Sequence, residues 1–409
     1  MGSEPDRTHP EWLDAWTRGQ GEMRARALFK ATWEGDPEGA WSAPGRVTVI
    51  GEHTDYNGGL TLPTVTAHRT YVAARVRDDD LLRVVSEGAQ AFAGPGDRWQ
   101  ARLSEISPDT ARGWPAYVAS VVWALMERGY EGPGLDLAVA SCIPADAGLA
   151  SSGALECATA LAVNALWRLA LDSDESHAEL AEACVHGEEA IALSPTGGLD
   201  QHTQLRCREG EALEMDFASR PPASRHCPLY FPDYGLGLLV VDVRSSARQR
   251  TPGFRERQRQ CEAAAHALGV AKLGHLAGTP DALERVAALP DPLLRSRARH
   301  VVTESERVAD VAALLADTGP AQERFVEIGR QLFRSHASLE VDYGVSSPEL
   351  NLAVDAAYRA GVLGARLVGA GFGGSVIALV RRSAADEVAL RIDQAFIDAG
   401  APRPRFLMV

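Results

Sequence analysis

Arg46, Glu52, His53, Asp55 and Asn57 fall within twelve residues and together carry the chemistry of a polar binding site. They lie in Ala43–Gly59, APGRVTVIGEHTDYNGG, where Val47, Val49 and Ile50 form an apolar strand-like run and Gly45, Gly51, Gly58 and Gly59 punctuate it. Polar groups on a buried strand cost free energy unless partners satisfy them. A polyhydroxylated ligand is one such partner, since carboxylates accept from hydroxyls and His and Arg donate. A polar hairpin closed by an Asn-Gly turn is the other reading.

Three further stretches bear on the choice. Gly148–Ala154, GLASSGA, precedes a long apolar run. Free backbone N–H groups and the helix dipole make such a helix start an anion site, and small residues let phosphate approach. Ser151 and Ser152 can donate to phosphate or ligate Mg2+; an ordinary serine N-cap is the alternative. In Ser194–Asp200, SPTGGLD, Asp200 is placed to act as a base toward a substrate hydroxyl or to close an Asx turn. Glu188 lies twelve residues upstream of Asp200 and suits a Mg2+ site completed by serine and phosphate oxygens, or a solvated helix face. Gly369–Ser375, GAGFGGS, runs into the strand-like VIALV rather than a helix, which excludes the dinucleotide fingerprint. It permits close backbone approach to a ligand, or a tight turn.

The elements that must position these residues are mixed. Helical spacing predicts helices at Gly21–Lys30, Trp114–Arg128, the run after Gly153, Asp174–Leu193, Phe254–Leu268, Pro292–Asp317, Ala321–Leu339, Pro348–Ala360 and Ala384–Ala399. Alternation or apolar runs predict strands at Val47–Ile50, Leu60–Pro63, Thr70–Arg75, Leu81–Val85, Ala89–Ala93, Leu135–Ser141, Thr203–Leu205, Ala212–Met215, Gly237–Asp242 and Ala365–Val368, with another after the glycine-rich loop. Without regular βαβ alternation this is an α+β class. Thr32–Trp41 reads as a loop, and the proline-rich Arg220–Pro232 as a linker.

At 409 residues the chain exceeds the usual single-core size, so two domains are expected, divided as 1–205 and 206–409. A net charge of −14 argues against nucleic acid or a membrane surface as partner. The six cysteines show no CxxC spacing and read as reduced residues of a cytoplasmic protein. The acidic, proline-broken N-terminus is unlike a signal peptide, and no apolar run is long enough to span a bilayer. Lysine occurs only at Lys30 and Lys272, neither after a glycine-rich loop, which excludes a Walker A site. A nucleotide would have to be held by Arg, backbone amides and metal.

In order along the chain, GRVTVIGEHTDYNGG, PADAGLASSGALE, PTGGLDQ and VGAGFGG closely resemble the galactokinase branch of the GHMP kinase family. RQRQCEAAAHALGV, RARHVVTESERV and VDYGVSSPELNLAVDAA continue the resemblance, which covers roughly Gly21 to Val380. It implies a two-domain α+β fold with the active site in the interdomain cleft, and transfer of the ATP γ-phosphoryl to the anomeric hydroxyl of galactose with Mg2+ as cofactor. Matched position by position, Arg46 and Asp200 are the catalytic pair, both also facing substrate. Glu52, His53 and Asp55 hold the sugar hydroxyls, and Gly197 is a backbone contact. Gly148, Leu149, Ala150, Ser151, Ser152 and Gly153 match the nucleotide loop, Ser152 and Glu188 the Mg2+ ligands, and Trp114 a tryptophan near adenine. Three positions depart from the family pattern. Thr48 replaces the usual Asn, Ala150 removes one hydroxyl from the loop, and Phe254 stands where a sugar-contacting Tyr is usual. These leave open a kinase of a related sugar such as arabinose or galactosamine. A non-catalytic galactose and ATP sensor is the remaining alternative, set against the retained Arg46, Asp200, Glu188, Ser151 and Ser152.

Overall fold

Strand Leu60–Val76 is the longest in the protein's described part, and the first sheet is built around it. The computed structural model describes residues 9–87, 97–245 and 250–409. In chain order the strands are β1 (Glu11–Trp12), β2 (Gly39–Ile50), β3 (Leu60–Val76), β4 (Leu81–Ser86), β5 (Arg98–Arg102), β6 (Leu135–Ser141), β7 (Glu211–Asp216), β8 (Ala223–Pro228), β9 (Leu236–Asp242), β10 (Gly364–Val368), β11 (Ser375–Arg381) and β12 (Arg405–Met408). The helices are α1 (Arg18–Thr32), α2 (Trp114–Glu127), α3 (Ser151–Trp167), α4 (Asp174–Gly187), α5 (Leu199–Arg206), α6 (Arg250–Ala267), α7 (Ala282–Ala287), α8 (Pro292–Ala316), α9 (Ala321–Ser338), α10 (Pro348–Arg359) and α11 (Ala385–Asp398).

One sheet has the order β5-β4-β6-β3-β7-β8, with β2 paired to β3; the other has the order β1-β12-β9-β11-β10. β2 runs antiparallel to β3 from Gly39↔Ala74 to Ile50↔Leu62. The remaining pairing capacity of β3 is divided: residues 70–76 pair with β6, and residues 60–64 with β7. The two separate strands expected at Leu60–Pro63 and Thr70–Arg75 are therefore one. Pro63 is tolerated because it lies at a register irregularity opposite Thr48.

The division expected at 205/206 does not follow the sheets. β7 and β8 lie beyond it in sequence yet extend the first sheet, whereas β1 belongs to the second. The expected linker Arg220–Pro232 contains β8, a polar edge strand paired with β7. Thr203–Leu205 is not a strand but part of α5, where Thr203 Oγ1 bonds back to the Leu199 carbonyl at 2.6 Å. Part of the loop expected at Thr32–Trp41 is the start of β2. The strand expected at Ala89–Ala93 lies outside the described residues.

The three largest apolar clusters among the described residues hold these layers together. Val72, Leu82 and Leu137 of the first sheet pack against Val118 and Val122 of α2 and Val163 of α3. Leu239, Leu367 and Val376 of the second sheet pack with α6, α8, α10 and α11. The third cluster joins the sheets: Val47, Val49 and Leu62 meet Val240, Ile377 and Leu407, with Val308 of α8 and Ile328 of α9. Among the described residues no helix is long and apolar enough to cross a membrane.

Candidate active site

A cavity of about 310 Å3 opens between the turn after β2, the start of α3, the loop before α5 and the glycine-rich segment after β10. Its volume suits a small ligand. The four sequence stretches converge here. Of the residues expected in the site, Arg46, Glu52, His53, Asp55, Gly148, Ala150, Ser151, Ser152, Glu188, Gly197, Asp200 and Phe254 line it.

Arg46 occupies a register shift in β2 between Pro44 and Arg46, where such an irregularity re-aims a side chain. Its backbone N–H donates to the Leu149 carbonyl at 3.0 Å. Nε and Nη2 both reach Asp200 Oδ1 at 2.6 Å, and Nη1 donates to the Gly148 carbonyl at 3.3 Å. Burial works against the charge, but Asp200, then Glu52, hold the Arg46 guanidinium above its ordinary range. Asp200 stands in the first turn of α5, and its side chain is 24% exposed, open enough to meet a ligand. Its Oδ1 is occupied by Arg46, leaving Oδ2 for the cavity.

Beyond β2 the chain turns through His53 at φ +64° into a short 3-10 turn, Asp55–Asn57. Asn57 Nδ2 donates to the His53 carbonyl at 2.7 Å and holds this turn. His53, Asp55 and Glu52 are all buried. Burial, reinforced by His300 and Arg257, pushes the His53 imidazole well below its ordinary value. Burial also lifts the Asp55 carboxyl to about 6, opposed by the Tyr56 backbone N–H and augmented by the Asp200 charge. Gly197 has no room for a side chain, since a Cβ there would lie 1.9 Å from Asp55 Oδ2. Arg220 Nη2 anchors the same loop at the Gly197 carbonyl, 2.5 Å away.

The loop before α3 bends through positive φ at Asp146, Gly148 and Ala150, then starts the helix at Ser151. Gln204 of α5 holds it through the Ala150 carbonyl at 2.8 Å, and Ser375 through the Ala147 carbonyl at 2.6 Å. The helix start thus lies on the cavity wall at Ser151 and Ser152, where free N–H groups and two hydroxyls are available to an anion. Leu149 and Gly153 belong to this loop without lining the cavity. Leu149 is buried in the third apolar cluster, and Gly153 packs against Gln204 and Asp200.

Glu188 begins a π-helical turn, Glu188–Ala192, that continues α4. Gln201 Nε2 bridges Glu188 Oε2 at 2.6 Å and Glu156 Oε2 at 2.8 Å. Burial and the neighbouring Asp200 charge lift the Glu188 carboxyl to about 8; burial and Glu188 raise Glu156 as well. Such crowding of carboxyls favours a bound cation.

Trp114 departs from expectation. It is the first residue of α2 and 1% exposed, packed in the first apolar cluster and not on the cavity wall, because the helix turns this face onto the sheet. Phe254 lies on the cavity wall, with its ring 4.8 Å from Tyr56 and 5.8 Å from His53. Thr48 is fully buried; its carbonyl accepts from Arg366 at 2.8 Å, and its hydroxyl has no hydrogen-bond partner among the described residues. Sequence reasoning missed Arg366, Arg220, Gln201 and Gln204, which brace the site's loops and carboxyls, and Tyr117 and Asp146, which line the cavity. A lone charged or amide residue on a strand or helix gives no spacing signal, although Gln201 and Gln204 lie beside Asp200 on α5.

The galactokinase galactose-binding signature matches residues 27–76, the GHMP kinases N terminal domain matches 116–207, and GHMP kinases C terminal matches 311–398. The galactokinase of Streptomyces coelicolor is 40% identical over 379 residues, covering 92% of this chain and 93% of that protein. That of Mycobacterium tuberculosis is 36% identical, covering 89% and 95%. The crystal structure of Lactococcus lactis galactokinase complexed with galactose aligns at a TM-score of 0.83 and 27% identity, covering 93% of this chain and 96% of that one. Methanococcus jannaschii mevalonate kinase, at 18% identity, a TM-score of 0.63 and coverage of 92% and 98%, shares the fold.

Proposed function

The chain belongs to the galactokinases of the GHMP kinase family, and on that premise we propose that it transfers the γ-phosphoryl group of ATP to the anomeric hydroxyl of galactose. The observation that carries this is the Arg46–Asp200 pair, set between the helix start at Ser151 and the His53–Asp55 turn. A phosphate bound at the helix start and a sugar bound at the turn would meet at that pair.

Phosphoryl transfer through a loose transition state asks a protein mainly for position and charge. Ser151, Ser152 and the backbone N–H groups of α3 hold the phosphates. Glu52, His53 and Asp55 hold the sugar hydroxyls, with Phe254 as an apolar wall. Asp200 Oδ2 accepts the proton of the attacking hydroxyl or orients that hydroxyl, while Arg46 faces the charge developing on the transferred group. Glu188 and the Ser152 hydroxyl are hard oxygen donors that suit Mg2+. Phosphate oxygens would complete the shell of an ion held by these two groups. When bound, Mg2+ supplies charge neutralisation at the phosphates. The six unpaired cysteines fit a cytoplasmic setting. The sheets suggest that the N-terminal unit runs through β8 and the C-terminal unit starts near β9.

Phe254 favours a second reading within the same chemistry, a preference for a related sugar. The test is an ADP-release assay of the purified protein with galactose, galactosamine, arabinose, glucose and mevalonate. Galactose is expected as the best acceptor. Faster turnover of arabinose or galactosamine would select the second reading, and no phosphorylation of any sugar would overturn both.

A further inference from the structure

A hydrogen-bonded row of side chains leads away from His53 into the second half of the protein. His53 Nδ1 lies 3.0 Å from the Tyr56 hydroxyl, which lies 2.6 Å from the Tyr343 hydroxyl, which lies 3.1 Å from Cys261 Sγ. All four residues are buried. At the other end of the imidazole, Nε2 is buried with no well-formed hydrogen bond among the described residues, although the Ala370 backbone on the cavity wall favours a proton on the ring, and His53 lines the cavity. The row joins the turn after β2 to the π-helical turn Leu339–Tyr343 and to α6, whose Phe254 also lines the cavity.

We propose that Cys261, Tyr343 and Tyr56 are positioning residues whose hydrogen bonds all run toward His53, fixing its tautomer with the proton on Nε2 so that it donates to a sugar hydroxyl oxygen. The direction follows from counting donors. If the Cys261 S–H donates to Tyr343, Tyr343 donates to Tyr56 and Tyr56 donates to Nδ1, the single spare donor is Nε2–H, at the end of the row where His53 lines the cavity. The remaining donor, Nε2–H, is the one that a ligand oxygen can accept. In the opposite direction Nδ1–H feeds the row, and the Cys261 S–H is left buried with no acceptor. The Ala370 backbone, another cavity-wall group, also favours a proton on the His53 ring. Burial keeps the imidazole in its neutral form, so its two nitrogens have opposite roles and the direction of the row decides which role faces the ligand.

The identity of the acceptor rests on the sugar-kinase reading; the direction of the row does not. The test is a two-bond 15N–1H correlation spectrum of 15N-histidine-labelled protein without sugar, with His53 assigned from a His53→Gln sample. His53 is expected to show the Nε2–H pattern. Tyr343→Phe, which cuts the row while keeping the ring, and Cys261→Ala should both give a mixture of tautomers. Cys261→Ser, which retains a donor, should keep the single pattern. In the kinase assay Tyr343→Phe should raise the sugar KM roughly threefold to tenfold, with kcat and the ATP KM within about twofold. A wild-type Nδ1–H pattern would overturn the proposal, as would a single pattern and unchanged sugar KM in Tyr343→Phe. A loosened fold in Tyr343→Phe would move the ATP KM too, and the tautomers of Cys261→Ser and Cys261→Ala then decide the matter alone. Failure to phosphorylate any sugar would remove the functional reading and leave the spectra to judge the row.

Discussion

Arg366 of β10 and Glu52 of the turn after β2 meet inside the protein, 314 residues apart in sequence and 3.1 Å apart in space. Arg366 is fully buried and also donates to the carbonyls of Val49 at 3.0 Å and Thr48 at 2.8 Å. The same carboxylate oxygen, Oε1, accepts the Gly369 backbone N–H at 2.7 Å. One oxygen of Glu52 is thus spent on joining the glycine-rich segment to the signature turn, and Oε2 remains for the cavity. The pair ties the two halves together at the place where the ligand would sit.

Replacing Arg366 by Met should therefore harm both stability and sugar binding. Removing one partner of a buried ion pair strands the other charge and costs about 3–5 kcal/mol. The prediction is a loss of that size in chemical denaturation, together with a raised sugar KM. Arg366→Lys should recover part of both, because the charge returns without the forked geometry. Stability within about 0.5 kcal/mol of the parent would show that the pair does not carry this connection.

Gly197→Ala tests the contact between the two loops. The new Cβ would meet Asp55 Oδ2 at 1.9 Å and the Tyr56 backbone nitrogen at 2.8 Å. Both cannot be relieved without moving the Asp55 turn, at about 1–3 kcal/mol. Calorimetric titration with galactose should show affinity reduced several-fold or more while nucleotide binding changes little. Equal weakening of both ligands would mean that the substitution loosens the whole cleft.

Asp200→Ala should cut turnover by about 10²–10⁴-fold, the usual worth of a positioned acid–base group. Sugar binding should stay measurable by calorimetry, because Glu52, His53 and Asp55 lie on a different element. Near-normal turnover in this variant would refute the role given to the Arg46–Asp200 pair.

Much of this site is legible in sequence because its polar residues cluster on short stretches with glycines between them. Arg46, Glu52, His53 and Asp55 share one such stretch, and Asp200 follows two glycines in another. What escapes is whatever depends on residues distant in sequence. Arg366 sits in the unremarkable strand GARLV, and only the sheet pairing brings it against Glu52. Tyr343 reaches Tyr56 across 287 residues. Edge strands are lost for another reason: β8 is ASRHCP, with one face wet, so neither apolar run nor strong alternation marks it. Thr203–Leu205 misleads because three residues cannot distinguish a strand from the end of a helix. Trp114 misleads because an aromatic at a helix start serves a core as readily as a ligand.

Asp55 should make sugar binding depend on pH. Its carboxyl is raised to about 6 in the folded protein, against about 3.9 for a free side chain. Between those values the folded state holds a proton that the unfolded chain has released, so this group's contribution to stability falls as pH rises through the window. Binding runs the other way. A sugar hydroxyl donates to the carboxylate, so affinity should be full above about pH 6 and fall up to about tenfold per unit below it. Calorimetric titrations at pH 5, 6 and 7 without nucleotide read this slope, and Asp55→Asn should flatten it. An unchanged slope in that variant would assign the titration to another group.

Phe254→Tyr addresses which sugar the cavity prefers. Phe254 contributes an apolar ring packed on Tyr56 and His53 at the cavity wall, and a phenol there would add one hydrogen-bonding group facing the ligand. A new neutral hydrogen bond contributes about 0.5–1.5 kcal/mol, or roughly twofold to tenfold in affinity. If the parent protein binds galactose with one hydroxyl lacking a protein partner, the variant should lower the galactose KM by that factor and leave the ATP KM alone. A sugar without the hydroxyl that faces residue 254 should gain nothing. The same kinase assay run on galactose and arabinose therefore separates the two cases. A selective gain for galactose means that the wild-type wall is merely permissive. A loss for the sugar that the parent turns over best means that the bare phenyl ring is itself the selective element.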